Sequence, residues 1–133
     1  MVLCFGLLLL TGSAQAASLR IGGETYQIEL ATTTEQRRLG LMHRSSLGSR
    51  EGMLLVYPQA GNHRIWMKNV LIPLKVYWID EDYTVISSQR LMPCVESSCP
   101  IYSADGESRY VLELGDYDHA LEVGDRLPDL TID

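Results

Sequence analysis

The sequence predicts a mainly β fold, a sandwich or barrel, and three observations predict it. Turn residues punctuate most of the chain about every eight to twelve positions, and short runs of Val, Ile, Leu, Tyr and Trp lie between them. A single stretch carries strong helix signals. The length, 133 residues with 46% hydrophobic side chains, suits one small globular domain and leaves no room for two independent cores.

The first 16 residues carry no charge and stand apart from the rest. Val2 to Leu10 is almost wholly apolar, and Thr11-Gly12-Ser13 leads into Ala14-Gln15-Ala16, with small residues at the two positions a signal peptidase reads. This pattern predicts a signal peptide over residues 1–16, cut after Ala16, and a single β-sandwich domain over residues 17–133. The apolar run is about half the ~20 residues needed to cross a bilayer, so a leader is favoured over an anchor. One feature departs from the pattern: no Lys or Arg precedes the run. The expected location is periplasmic or secreted, with no stable membrane insertion after cleavage. Cys4 leaves with the leader, and in an oxidising compartment Cys94 and Cys99 are then expected to form a disulfide. Four residues separate them, which matches neither a redox nor a zinc C-x-x-C spacing.

Along the expected domain, Ser18 to Ile21, the turn Gly22-Gly23, and Glu24 to Leu30 predict a hairpin. In its second arm Tyr26, Ile28 and Leu30 point one way, Gln27 and Glu29 the other. Thr32 to Met42 predicts the helix, with Thr32-x-x-Glu35 and Thr33-x-x-Gln36 both candidate capping boxes. Further strands are expected over Gly52 to Tyr57, His63 to Val70, Leu74 to Ile79, Thr84 to Met92, Ser108 to Leu114 and Asp129 to Ile132, with a second helical turn near Tyr117 to Glu122. Asp80-Glu81-Asp82 is expected to be a solvated hairpin turn, because the spaced ligands and trailing glutamate of a calcium loop are absent.

The charge balance excludes one class of partner. Asp105 to Asp133 holds nine acids and two arginines within a chain of net charge -6, leaving no basic face for nucleic acid. Hydrolytic motifs of the G-x-S-x-G and H-E-x-x-H types are missing, and no cofactor is expected. Glu113 faces away from Tyr110, Leu112 and Leu114 by alternation and is expected to be exposed. The most informative segment is His63-Arg64-Ile65-Trp66-Met67-Lys68-Asn69. As a strand it places Ile65 and Met67 on one face and Arg64, Trp66 and Lys68 on the other. Two cations flanking an indole make a receptive surface for an anionic or sugar-like ligand.

In order along the chain stand Gly40-Leu41-Met42-His43-Arg44, Glu51-Gly52-Met53-Leu54-Leu55-Val56-Tyr57, Trp66-Met67-Lys68-Asn69-Val70, Ile72-Pro73-Leu74, Ile79-Asp80, Tyr110-Val111-Leu112-Glu113 and Gly124-Asp125. From about Leu19 to Leu127 the chain resembles the domain of unknown function 192 family, a prokaryotic group often exported. The resemblance implies a compact, mainly β sandwich of jelly-roll type with one or two short helices, and it implies no activity. Carried over position by position, the surviving polar residues of its motifs are Arg44, Lys68, Asn69 and Asp80. Lys75 stands where the family carries Asp or Ser, and Ile65 where it carries an aromatic residue.

The expected function is therefore that of a non-enzymatic exported binding module for a small anionic or carbohydrate-like ligand or a partner protein. Its expected ligand-binding residues are Arg44, Trp66, Lys68, Asn69 and Asp80, and a monomer is expected. Two alternatives stand beside it. One is an enzyme using Lys68 or Asp80 as acid or base. The other is a Cu(I)-binding protein using the thioethers of Met42, Met53 and Met67, with His43 or His63 as a further ligand; core packing of these methionines is favoured over it.

Overall fold

A computed structural model of the protein describes residues 15–128 and residue 130. The leader up to Ala14, and all of the expected last strand except Leu130, lie outside the described residues. The fold is mainly β: β1 (Ala16–Ile21), β2 (Glu24–Ala31), α1 (Thr34–Leu39), β3 (Glu51–Gly61), β4 (Ile65–Trp66), β5 (Leu74–Ile79), β6 (Val85–Leu91), β7 (Ile101–Tyr102) and β8 (Ser108–Gly115). Six strands form one sheet in the order β1-β2-β3-β8-β5-β6, and β4 pairs with β7 in a separate two-stranded ribbon. The large sheet does not close into a barrel.

The β1–β2 hairpin forms as expected, turning through Gly22 and Gly23 at φ of 59° and 82°. Two consecutive left-handed residues suit a tight hairpin turn, and glycine adopts them without penalty. Helix α1 is shorter than Thr32 to Met42. Of the two candidate caps, Thr33 is the one used: its hydroxyl accepts from the Gln36 amide at 3.1 Å while the Gln36 side chain accepts from the Thr33 amide. Gly40, at φ 48°, ends the helix.

After α1 the chain crosses over to β3, which runs parallel to β2, with Gln27 opposite Glu51 and Ala31 opposite Leu55. Every other pairing in the sheet is antiparallel. Strand β8 inserts between β3 and β5, and Gly52 lies so close to it that a Cβ there would come within 2.4 Å of the Glu113 carbonyl oxygen.

Both faces of the sheet are covered. On one, Leu19, Tyr26, Ile28, Leu54, Tyr77 and Leu112 pack beneath Leu121, Leu127 and Leu130 of the C-terminal segment. On the other, Met53, Leu55, Val76, Trp78 and Val111 pack beneath Leu41 and Leu47 of the crossover and Ile65, Met67 and Val70 around β4.

Three local expectations are corrected. Only Ile65 and Trp66 of His63 to Val70 form a strand, because Met67 to Val70 close a turn through the Val70 amide and Met67 carbonyl at 3.1 Å. No helix forms at Tyr117 to Glu122, where the described chain is irregular. Glu113 is buried, at 5% exposure, because the face opposite Leu112 and Leu114 is itself roofed by the crossover and the ribbon.

Candidate functional site

The alternation around β4 holds despite the short strand: Ile65 and Met67 are buried, while Arg64, Trp66 and Lys68 are exposed. The Lys68 Nζ stands 5.3 Å from the centre of the Trp66 ring, a cation–π arrangement. Asn69 follows at φ 60°, and its carbonyl accepts from the His43 amide at 2.8 Å, tying this segment to the crossover. Asn is among the few side chains tolerated in that backbone region.

The other two expected ligand-binding residues are engaged elsewhere. The Arg44 guanidinium pairs with the Glu29 carboxylate on β2. The Asp80 Oδ1 accepts from the amides of Asp82 and Thr84, both at 2.9 Å, which fixes the β5–β6 turn. Thus Trp66, Lys68 and Asn69 are contiguous, whereas Arg44 and Asp80 serve local pairings.

Beside Trp66 opens a cleft of about 310 Å³, walled by α1, the residues that follow it, β3 and β4. That volume lies at the lower end of small-molecule sites. Glu113 lines it from β8, at a register position opposite Met53 and Val76. Its Oε2 is buried and has no hydrogen-bond partner. Burial pushes the Glu113 carboxyl up from 4.5 to about 7, with the charge of Arg44 opposing the rise. A carboxylate in an apolar wall without a direct partner favours its neutral form, because the charged form has lost water and gained nothing.

Three guanidinium groups also line the cleft, and they differ in their engagements. Arg37 is held on α1 by the carbonyls of Thr32 and Val56, at 2.7 and 2.9 Å, and lies over the Tyr57 ring at 5.0 Å. Arg38 pairs with Glu35 one helical turn away. Arg64 makes no side-chain hydrogen bond or ion pair among the described residues. Tyr57 stacks on His63 at 3.5 Å between ring centres. Burial first, then the neighbouring Glu113, pushes its phenol above the usual range, and Arg37 pulls the other way.

Glu113, Tyr57 and Arg37 are the site residues that sequence reasoning missed. A signal for Glu113 was present: Tyr110 to Leu114 is apolar on both faces, the pattern of a strand buried on both sides.

Met53 and Met67 lie in the same core cluster and Met42 packs against it; Met42 also lines the Glu113 cleft, and Met67 a second hollow beside Cys94. Among the described residues no group of three or more His, Cys, Asp and Glu is placed to hold a metal. Cys94 and Cys99 form the expected disulfide, with Cα atoms 5.8 Å apart, and Cys94 bridges by its backbone to Lys68. No helix among the described residues is long and apolar enough to cross a membrane.

Fold and site together define a mainly β protein with a small cleft built over a buried, unpaired carboxyl. The chain belongs to the DUF192 family, described as an uncharacterized ACR, whose model matches residues 17–128. Two crystal structures are similar. One, from Sinorhizobium meliloti 1021, is described as a "putative transcription regulator"; it is 28% identical, with a TM-score of 0.71 over 83% of this chain and 88% of that one. The other is a protein of unknown function from Novosphingobium aromaticivorans DSM 12444, 26% identical, with a TM-score of 0.68 over 80% of this chain and 77% of that one. No curated protein matches the chain.

Proposed function

We propose that the protein is an exported, non-enzymatic binding module whose site is the Glu113 cleft and whose ligand is a small anionic or carbohydrate-like molecule. The observation that carries this reading is Glu113 itself, a carboxyl buried in the cleft wall with Oε2 left without a partner. Buried polar atoms are nearly always satisfied, so an unsatisfied one on a side chain that lines a cleft supports a bound partner there. The flat face of Trp66 and the unengaged Arg64 supply stacking and charge at the rim. The charge-free leader with its Ala14-Gln15-Ala16 site and the Cys94–Cys99 disulfide support export.

A second reading shares the central observation. A carboxyl poised near pH 7 suits proton transfer on a bound substrate, which moves the enzymatic alternative from Lys68 and Asp80 to Glu113. No Ser, Cys or His lines the cleft beside it, so binding without reaction is preferred. Binding to nucleic acid, raised by the description of the Sinorhizobium protein, has no support in a chain of net charge -6.

Thermal shift with D-glucose, D-glucuronate and inorganic phosphate tests the reading, using the wild type and Arg64→Ala and Trp66→Ala variants. Stabilisation by at least one probe, lost in both variants while their unliganded melts stay cooperative, is the expected result. A wild-type melting point unmoved by all three would remove the reading.

A further inference from the structure

We propose that the cleft takes up a small carboxylate together with one proton, the Glu113 carboxyl donating to the ligand's carboxylate while Arg64 pairs with its charge. This rests on reading the cleft as a binding site, and it names the class of ligand.

The charged and titratable groups around Glu113 can be taken element by element. From α1 come Arg37, anchored to the Thr32 and Val56 carbonyls, and Arg38, paired with Glu35. The crossover contributes Arg44, paired with Glu29 of β2. Strand β3 brings the Tyr57 phenol, and the residue before β4 is Arg64. On β5 the neighbour across the strand is the apolar Val76. None of these groups hydrogen-bonds Glu113 Oε2, and every cation except Arg64 is engaged with another partner.

This arrangement selects among ligands. A carboxylate entering beside an ionised Glu113 would meet like charge in a poorly solvated wall. One proton held between the two carboxyls removes the repulsion and forms a short charge-assisted hydrogen bond. Burial already favours the protonated form, so solvent supplies the proton at neutral pH at little cost.

A phosphate dianion needs more donors than a carboxylate, and at the start of α1 three amides are already engaged: those of Thr32 and Thr33 donate to the Gln36 side chain and that of Gln36 donates to Thr33. A neutral sugar would leave Arg64 without a counter-charge.

Isothermal titration calorimetry of the processed protein between pH 6 and 9 tests the inference. D-glucuronate and acetate are the carboxylate probes, D-glucose the neutral one and inorganic phosphate the alternative anion. A carboxylate should bind with an affinity that falls up to about tenfold per pH unit above 7, and at pH 8 two buffers of different ionisation heat should report uptake of about one proton per ligand. Glu113→Gln carries an N–H donor at every pH, so it should bind with a flat pH profile and no proton uptake. Because that variant could fail to fold, its circular dichroism and melt are recorded, and the proton count on the wild type decides the question without it. Carboxylate binding with no proton uptake overturns the inference, as does binding of glucose or phosphate but neither carboxylate; in these cases the cleft still stands as a binding site. Failure of all four probes removes both.

Discussion

At the scale of single residues, Glu113 carries the strongest consequence. Its carboxyl is held near 7 in the folded protein and returns to about 4.5 on unfolding. Below 4.5 both states are protonated and the residue does not affect the balance. Between 4.5 and 7 the folded state keeps a proton that the unfolded state has released, so stability falls as pH rises through this window. Above 7 the full penalty is present, about 3 kcal/mol for a shift of this size. Glu113→Gln never ionises. Its stability relative to the wild type should therefore rise between pH 4.5 and 7 and level off beyond, with an upper limit near that figure. Urea denaturation at pH 4.5 and 8 checks it; a difference between the two proteins that is the same at both values would contradict the burial of an ionisable carboxyl. The same residue shows where sequence reading stopped. Alternation assigned Glu113 to the correct face of β8, opposite Leu112 and Leu114, but which faces are covered depends on how the crossover and the β4–β7 ribbon fold over the sheet. The apolar residues on both faces of Tyr110 to Leu114 signal that this strand is covered, but not by which segments.

At the scale of elements, the strands were legible wherever apolar residues alternate between clear turn residues. The β1–β2 hairpin and β5 (Leu74–Ile79) stand where periodicity placed them, and β6 and β8 differ by a residue or two at their ends. Segments whose shape is set by tertiary contact were not legible. His63 to Val70 is expected to run on as a strand, yet Met67 to Val70 turns, because Asn69 takes a left-handed backbone and docks its carbonyl on the His43 amide. Arg44 and Asp80 each have a partner that the sequence did not indicate: Glu29 on β2, and the amides of the β5–β6 turn. The Cys94–Cys99 disulfide stands just ahead of β7 of the β4–β7 ribbon. Closing a loop with a sequence separation of 5 restricts the unfolded chain by about 2 kcal/mol in the chain-entropy view. Reduction should thus lower stability by about that amount and leave the unfolding transition cooperative, because the six-stranded sheet contains neither cysteine. Guanidinium melts with and without dithiothreitol measure this, and loss of a cooperative transition on reduction would assign the disulfide a larger role.

At the scale of the whole molecule, a sheet covered on both faces concentrates stability in its central side chains. Trp78 is fully buried, and its indole N–H donates to the His63 carbonyl at 3.1 Å, joining β5 to the segment that enters the ribbon. Trp78→Ala should remove about 3 to 5 kcal/mol, a large part of the roughly 5 to 15 that a domain possesses; a loss under 1 kcal/mol by equilibrium denaturation would show that the second core is loosely packed. The strand order has a consequence in time as well as in energy. Strand β8 lies between β3 and β5, so it joins the β1–β2–β3 part of the sheet to the β5–β6 hairpin, although it is the last of these strands to be synthesised. A ribosome that has completed β6 has made two partial sheets with no hydrogen-bonded link between them, and each exposes an edge that Ser108–Gly115 will later occupy. Closure of the sheet must therefore wait until Ser108–Gly115 has emerged, and it depends on pairings distant in sequence, which form slowly. Until then the nascent chain remains an open substrate for chaperones or for any channel that requires an unfolded polypeptide.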